Sequence, residues 1–309
     1  TSADMGNLER VEVLRGPQTA LFGRGTLAGA INYVTRRPTA ELEGRASLAA
    51  GSEGLIDASG FVSGPFDDGG RYRFYLSGRS YEYDGWYRNT GPDGGRAGSE
   101  QSRSIAGGLF LSPTESFDAT LRASYGEDDD GIWATRLFKN LNCFTSVTAV
   151  AARGGYWCGR VPVIGRDGIA TDVRQAAFVE PGVERETFRS SLELRLDVRG
   201  LELKSITALS QEEETWTYDD AQVNSATGPY RPGTANAGYL ARRGVDWDSK
   251  SQELHLSNGT ESSVHWLVGV FWYNEERQDY TNLVDIRRGS FPPILYDPAR
   301  EVTNRAVFG

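Results

Sequence analysis

Three stretches of this chain alternate apolar and polar residues, two of them without a break and the third interrupted only by Tyr75, and that period of two constrains the fold more than any other feature of the sequence. Phe117, Ala119, Leu121, Ala123 and Tyr125 are interleaved with Asp118, Thr120, Arg122 and Ser124. Leu192, Leu194, Leu196 and Val198 are interleaved with Glu193, Arg195 and Asp197, and Tyr72, Phe74 and Leu76 stand against Arg71, Arg73 and Ser77. Each stretch is a strand with one apolar and one polar face. In a soluble sandwich the apolar faces meet in a core. In an outer-membrane barrel they meet lipid, and the polar faces line a lumen.

The connections separate these two folds. Strands are predicted at about 43–51, 56–64, 71–84, 100–111, 116–126, 186–198, 201–214, 248–257 and 264–277, with another starting near 302. "GPFDDGG", "SPTES", "RG" and "NGTESS" are tight turns, whereas the segments near 85–99, 127–185, 215–247 and 278–301 are long, polar and rich in Gly and Pro. The connection near 52–55 is short although it falls on the long side. Short turns at one end and long loops at the other is the barrel pattern; a compact sandwich rarely carries loops this long. Tyr81, Tyr83, Trp86, Tyr87, Trp266, Trp272 and Tyr273, near strand ends, suit interfacial aromatic girdles.

Composition agrees. The 309 residues include 37 Gly, 14 Tyr, 13 Phe and 7 Trp against 1 Met and 2 His, a bias toward turns and strands. Hydrophobic residues make up 39%, and no apolar run is long enough for a membrane-spanning helix. A net charge of -9 argues against a nucleic-acid partner. Cys143 and Cys158, within one long connection, suit a disulfide in an oxidising compartment, with two unlinked thiols as the alternative. Zinc is disfavoured because no His or further Cys is near. "TSADMGNLER" has none of the features of a signal peptide.

Residues 14–38, "LRGPQTALFGRGTLAGAINYVTRRP", contain a match to the G-x-G-x-x-G/A dinucleotide fingerprint in Gly23, Gly25 and Ala28, with Glu43 downstream as a ribose-binding acid. That fingerprint requires a strand turning directly into a helix. Here Arg15-Gly16-Pro17 interrupts the preceding strand, and Gly29 to Thr35 is β-branched and aromatic, closed by Pro38. The glycines are read as turns.

The stretch "ERVEVLRGPQTALFGRGTLAGAINYVTRRP" closely resembles the second half of the plug domain of TonB-dependent outer-membrane receptors, a resemblance covering residues 8–38 through Val11-Glu12-Val13-Leu14-Arg15-Gly16-Pro17, Leu21-Phe22-Gly23-Arg24, Gly29-Ala30-Ile31-Asn32 and Val34-Thr35-Arg36-Arg37-Pro38. Ser251 to Leu256 with Trp266 to Phe271 is similar to a barrel hairpin of that family, and Ala306-Val307-Phe308-Gly309 to the start of a further strand. Thr19-Ala20, Gly25 and Ala28 depart slightly from the family pattern. The resemblance implies an all-β fold: part of a transmembrane antiparallel barrel, about ten strands of the 22 of such plugged barrels, with part of a small α/β plug. Residues 1–40 would be the C-terminal half of the plug and 41–309 the N-terminal part of the barrel. The energy-coupling box and the first half of the plug are not in the sequence. An open sheet would leave bare edges in lipid, so the chain is expected to be an internal fragment or a truncated product.

The resemblance further implies a receptor in the bacterial outer membrane that takes up a scarce ligand, foremost a ferric siderophore, powered by a periplasmic TonB-type partner. Its plug motif would comprise Arg15, Gly16, Pro17, Gly23, Arg24, Gly29 and Asn32. Arg15 would hold the plug to the barrel wall, with inward-facing Glu253 as acceptor, in a pair weak enough to release. Trp216, Tyr218, Asp219, Asp220 and Tyr230 form an aromatic and acidic cluster, expected in one long loop as ligand-binding candidates. Glu127-Asp128-Asp129-Asp130 is expected to open another; it lacks the spacing of a calcium loop and is read as a solvated charge run.

No catalytic group, metal site or cofactor is expected. His255 and His265, the only histidines, have no Ser or Cys nucleophile placed with them. Asn258-Gly259-Thr260 is read as a turn rather than a glycosylation acceptor. The rival reading is a soluble, secreted β-rich domain binding carbohydrate through exposed aromatics, and a third is a gene product without function.

Overall fold

The computed structural model describes residues 8–16, 28–88, 96–131, 143–144, 155–156, 159–160, 182–219, 239–258, 264–285 and 295–308. Among these the chain forms strands and no helix. A hairpin comes first, β1 (Leu8–Arg15) antiparallel to β2 (Gly29–Thr35). The large sheet follows: β3 (Glu43–Ala50), β4 (Ile56–Pro65), β5 (Tyr72–Tyr83), β6 (Glu100–Thr114), β7 (Phe117–Gly131) and β8 (Gly182–Val198). It continues with β9 (Leu201–Asp219), β10 (Tyr239–Asn258), β11 (Leu267–Asp285) and β12 (Arg300–Phe308). Every strand from β3 to β12 pairs antiparallel with its neighbour in sequence, and Leu295–Tyr296 adds a short piece beside β11.

Glycines with positive φ shape the tight turns at "RG" and "GPFDDGG". Arg199 and Gly200 both have positive φ, 51° and 80°, as a two-residue hairpin with the twist of its strands requires. In "GPFDDGG", the Asp67 carboxylate accepts from the amides of Tyr72 (2.9 Å) and Arg71 (3.3 Å), and Gly70, at φ 61°, donates to the Asp67 carbonyl. Asn258 braces its own turn, accepting from the Trp266 amide at 2.9 Å and donating to the Val264 carbonyl, which supports reading it as a turn residue.

Directly paired residues lie on the same face of a sheet, so the register assigns the faces. One row runs Phe74, Leu109, Leu121, Leu192, Thr207, Gln252, Trp272, Arg305 across β5 to β12. The rows beside it on that face include Tyr72, Leu111, Leu194, Leu254, Val270 and Val307. The opposite face carries Tyr81, Ser102, Asp128, Arg185 and Glu214 in one row. Leu121 is 45% exposed and Val270 47%. Among the described residues no large side chain is fully buried. A one-layer sheet with an apolar face and, among the described residues, only a few buried apolar side chains needs lipid on that face, as in an outer-membrane barrel.

Ten strands stand where the sequence places them, but most reach further at the long-loop end. Expected at 116–126, 201–214, 248–257 and 264–277, they run Phe117–Gly131, Leu201–Asp219, Tyr239–Asn258 and Leu267–Asp285. Glu127 to Asp130 therefore continue a strand instead of opening a loop. The cause is physical: apolar alternation marks the part of a strand that meets lipid, while ladder hydrogen bonds continue above it between two polar faces.

Candidate functional site

The β1–β2 hairpin carries the plug-like residues. Gly16 has φ 86° and donates its amide to the Ala28 carbonyl at 3.2 Å, closing the hairpin neck. Gly29, at φ 153°, lies so close to the Leu14 carbonyl oxygen that a β-carbon would collide with it. Asn32 donates to Glu12 at 2.9 Å, and Arg10 reaches the other oxygen of the same carboxylate at 2.7 Å. These contacts, with Asn32 the larger influence, hold the Glu12 carboxyl below its ordinary range. Gly29 to Thr35 is a strand and not a helix, so the dinucleotide reading fails on structure as well. Pro17, Gly23 and Arg24 lie outside the described residues.

The segment after β2 is tied to the inward face of the first barrel strands. The Arg36 guanidinium stacks over the Phe61 ring at 4.8 Å. The Thr39 amide donates to Ser63 Oγ at 2.9 Å, and Ser63 in turn donates to the Phe74 carbonyl at 2.9 Å. Ser63 is buried, so the chain leaves the hairpin through a satisfied polar joint.

Further along, the inward face is built from cross-strand charge pairs. Arg185 on β8 bridges Asp128 on β7 (3.2 Å) and Glu214 on β9 (2.7 Å), with all three side chains between 11% and 14% exposed. Ser102 on β6 donates to the same Asp128 at 2.8 Å. Arg79 forks onto Asp57 with two bonds, 2.9 and 3.0 Å. Toward the short-turn end, Lys204 meets Glu193 (3.3 Å) and Arg195 meets Glu202 (3.1 Å). The sequence analysis missed the Arg185 bridge, because nothing in a single strand shows which neighbours it acquires.

The other expected site residues fall as follows. Glu253 is on the inward face, as expected, opposite Ile206 and Phe271, and its carboxylate meets His255 Nε2 at 2.5 Å. His255 packs edge-on against Phe308, with ring centroids 5.3 Å apart. Arg15, at the end of β1, is exposed. Trp216, Tyr218 and Asp219 are in β9 and not in a loop, a correction with the same cause as at Glu127; Asp220 and Tyr230 lie outside the described residues. Cys143 pairs with Tyr156 in a two-residue ladder, and Cys158 lies outside the described residues. Tyr81, Tyr83 and Tyr273 are on the inward face and do not belong to a lipid girdle, whereas Trp266 and Trp272 are exposed, Trp272 on the outward row. The parity set by Tyr72, Phe74 and Leu76 already implied this for Tyr81 and Tyr83.

Residues 1–30 match the TonB-dependent Receptor Plug Domain family. The ferric enterobactin receptor of Pseudomonas aeruginosa is 31% identical over 106 residues, which cover 32% of this chain and 14% of that protein. A metal-pseudopaline receptor of the same species is 39% identical over 76 residues, 24% of this chain and 11% of its own length. The solved ferric yersiniabactin uptake receptor of Yersinia pestis superimposes on 91% of this chain and 38% of its own with a TM-score of 0.67, at 18% identity. The chain thus spans a small part of the relatives it matches in sequence, and they are transport receptors rather than enzymes. With a plug-type hairpin and a one-layer antiparallel sheet apolar on its outward face, the chain matches the TonB-dependent Receptor Plug Domain over residues 1–30 and shares the barrel fold of solved outer-membrane receptors.

Proposed function

We propose that this chain is part of a receptor that imports a ferric siderophore across the outer membrane, with energy supplied by a TonB-type periplasmic protein. Residues 1–40 are its plug portion and 41–309 its barrel portion. The observation that carries the reading is the joining of a plug-type hairpin, through Arg36 and Thr39, to the polar inward face of a barrel-type sheet. In this reading the plug blocks a wet lumen and is remodelled by pull, with Arg15 held at rest by the Glu253 carboxylate. Trp216, with Tyr218 and Asp219 on the same β9, stands toward the long-loop end, where an incoming ligand arrives first.

The test is uptake. The receptor containing this chain is expressed in an outer-membrane host lacking its own siderophore receptors and given radio-iron on catecholate, hydroxamate or mixed siderophores, with TonB present or deleted. TonB-dependent accumulation from at least one of them is expected. Equal accumulation with and without TonB, or none from any class, sinks the proposal.

A further inference from the structure

Past the Arg185 bridge, toward the long connections, the inward face gains carboxylates without gaining cations. Tyr83 on β5 pairs directly with Glu100 on β6, in the inward row next to that of Tyr81, Ser102, Asp128, Arg185 and Glu214. On β7, Asp130 faces Glu100 in the continued register, where the Gly131 amide still donates to the Ser99 carbonyl at 2.9 Å. The same row runs on through Val183 to Trp216.

Together the two rows set Glu100, Asp128, Asp130 and Glu214 against one guanidinium, and Arg185 is already shared by Asp128 and Glu214. Glu100 accepts from the Tyr81 hydroxyl and Asp130 from the Gln101 amide, and neither carboxylate has an ion-pair partner among the described residues. Arg79 is committed to Asp57 by two bonds, and Arg243, across from Trp216, stands on β10, three strands from Asp130. Tyr83 points independently to a ligand. It is 7% exposed, and its hydroxyl, close enough to feel the Glu100 charge, is buried with no hydrogen-bond partner among the described residues. Trp86, 73% exposed, stands against the Tyr83 ring with centroids 5.7 Å apart.

Two carboxylates without a cation, beside exposed aromatic surface, complement an organic cation, which gains charge-assisted hydrogen bonds from the acids and a π face from Trp86. A bare divalent ion takes more oxygen ligands at once, and among the described residues no three His, Cys, Asp or Glu side chains come together to hold one. An anionic tris-catecholate chelate is repelled by the same acids. A buried phenol donor is satisfied by a neutral oxygen acceptor, such as a hydroxamate or amide carbonyl.

We infer that this corner of the lumen wall selects iron chelates by charge, taking a hydroxamate-type chelate that carries a free ammonium group. The ammonium sits on Glu100 and Asp130, and a carbonyl oxygen of the chelate accepts from the Tyr83 hydroxyl once the ligand displaces the Trp86 ring. The inference deepens the siderophore reading and rests on it.

The test uses the receptor containing this chain, purified in detergent, with retention of radio-iron chelates measured at equilibrium. The probes are a linear ferric trihydroxamate with a terminal ammonium, the same chelate with that amine acetylated, and an anionic ferric tris-catecholate. Wild-type receptor is expected to hold the ammonium chelate at least about tenfold more tightly than either other probe. The Glu100→Gln/Asp130→Asn double variant is expected to lose that preference, while Glu186→Gln, on the outward face of the same sheet, keeps it. Equal retention of the two trihydroxamates by wild type overturns the inference even if the double variant does not fold, as does tighter retention of the tris-catecholate or retention of none. A folded double variant with the wild-type preference overturns it too. The assay needs no TonB, so an ammonium preference in a receptor that accumulates no iron leaves this inference standing while the uptake reading fails. TonB-dependent uptake without the preference does the reverse.

Discussion

The two halves of the longest barrel strands are held by different physics. In the half nearer the short turns, β8 and β9 present Leu192, Leu194, Leu196, Val198, Leu201 and Leu203 outward, and no equivalent apolar set inward. In the half nearer the long connections, the same strands carry Glu186, Gln211 and Glu213 outward and Arg185, Glu212 and Glu214 inward. The first half is defined by its solvent, since lipid accepts only one face of the sheet. The second has water on both sides and is kept as a sheet by its ladder and by cross-strand charge pairs. A strand can thus continue well past the end of its hydrophobic signature.

A charge placed on the lipid face breaks this comparison most severely. Leu192→Arg puts a guanidinium in the middle of the outward apolar run of β8 and is expected to cost about 2–4 kcal/mol. Ala208→Arg, on the wet inward face of β9, is expected to cost less than about 0.5 kcal/mol. Urea midpoints of the folded receptor in detergent, read by the electrophoretic shift of folded barrel, distinguish the two. Equal losses would mean that both faces see the same medium, and the assignment of an outward face would fall.

The next effect separates a buried charge bridge in the water-facing half from an exposed pair on the inward face nearer the short turns. Arg185→Leu leaves Asp128 and Glu214 facing each other with little solvent and is expected to destabilise by about 2 kcal/mol, below the range for a fully buried pair because the lumen is wet. Arg195→Leu removes a guanidinium whose side chain is 47% exposed beside Asp197, and is expected to change stability by less than about 0.5 kcal/mol. Adding Asp128→Asn to Arg185→Leu should recover part of the loss. A double variant no better than the single one would show that Arg185 acts through packing and not charge.

What was legible in the sequence follows the same division. The belt could be read residue by residue, because Phe117 to Tyr125 and Leu192 to Val198 alternate only if one face meets an apolar medium. Arg15, Gly16, Gly29 and Asn32 were legible through a motif whose reasons are local: a positive φ at Gly16, a close carbonyl at Gly29 and an amide donor to Glu12 at Asn32. The upper strand ends were not legible. Glu127 to Asp130 and Trp216 to Asp219 have the composition of loops and are strands only because a neighbour pairs with them. The Arg185 bridge was hidden for a related reason, since its partners come from strands 57 and 29 positions away in sequence.

The smallest effect tests the short-turn end, where local bonds alone shape the chain. Asp67 accepts from the amides of Tyr72 and Arg71, and these bonds, Tyr72 foremost, hold its carboxyl below the ordinary carboxylate range. A depressed folded-state pKa means that the ionised turn stabilises the hairpin above the unfolded value, near about 3.9, and loses that contribution as pH falls through the folded value. Acidification below about pH 4 should therefore loosen the β4–β5 turn in wild type. In Asp67→Asn, which keeps one acceptor but no titrating group, the same step should vanish. Amide exchange at Arg71 and Tyr72, followed across that range, reports the turn directly. Exchange that accelerates equally in both proteins would place the acid-sensitive group elsewhere and leave Asp67 as a geometric brace, which Asn replaces without loss.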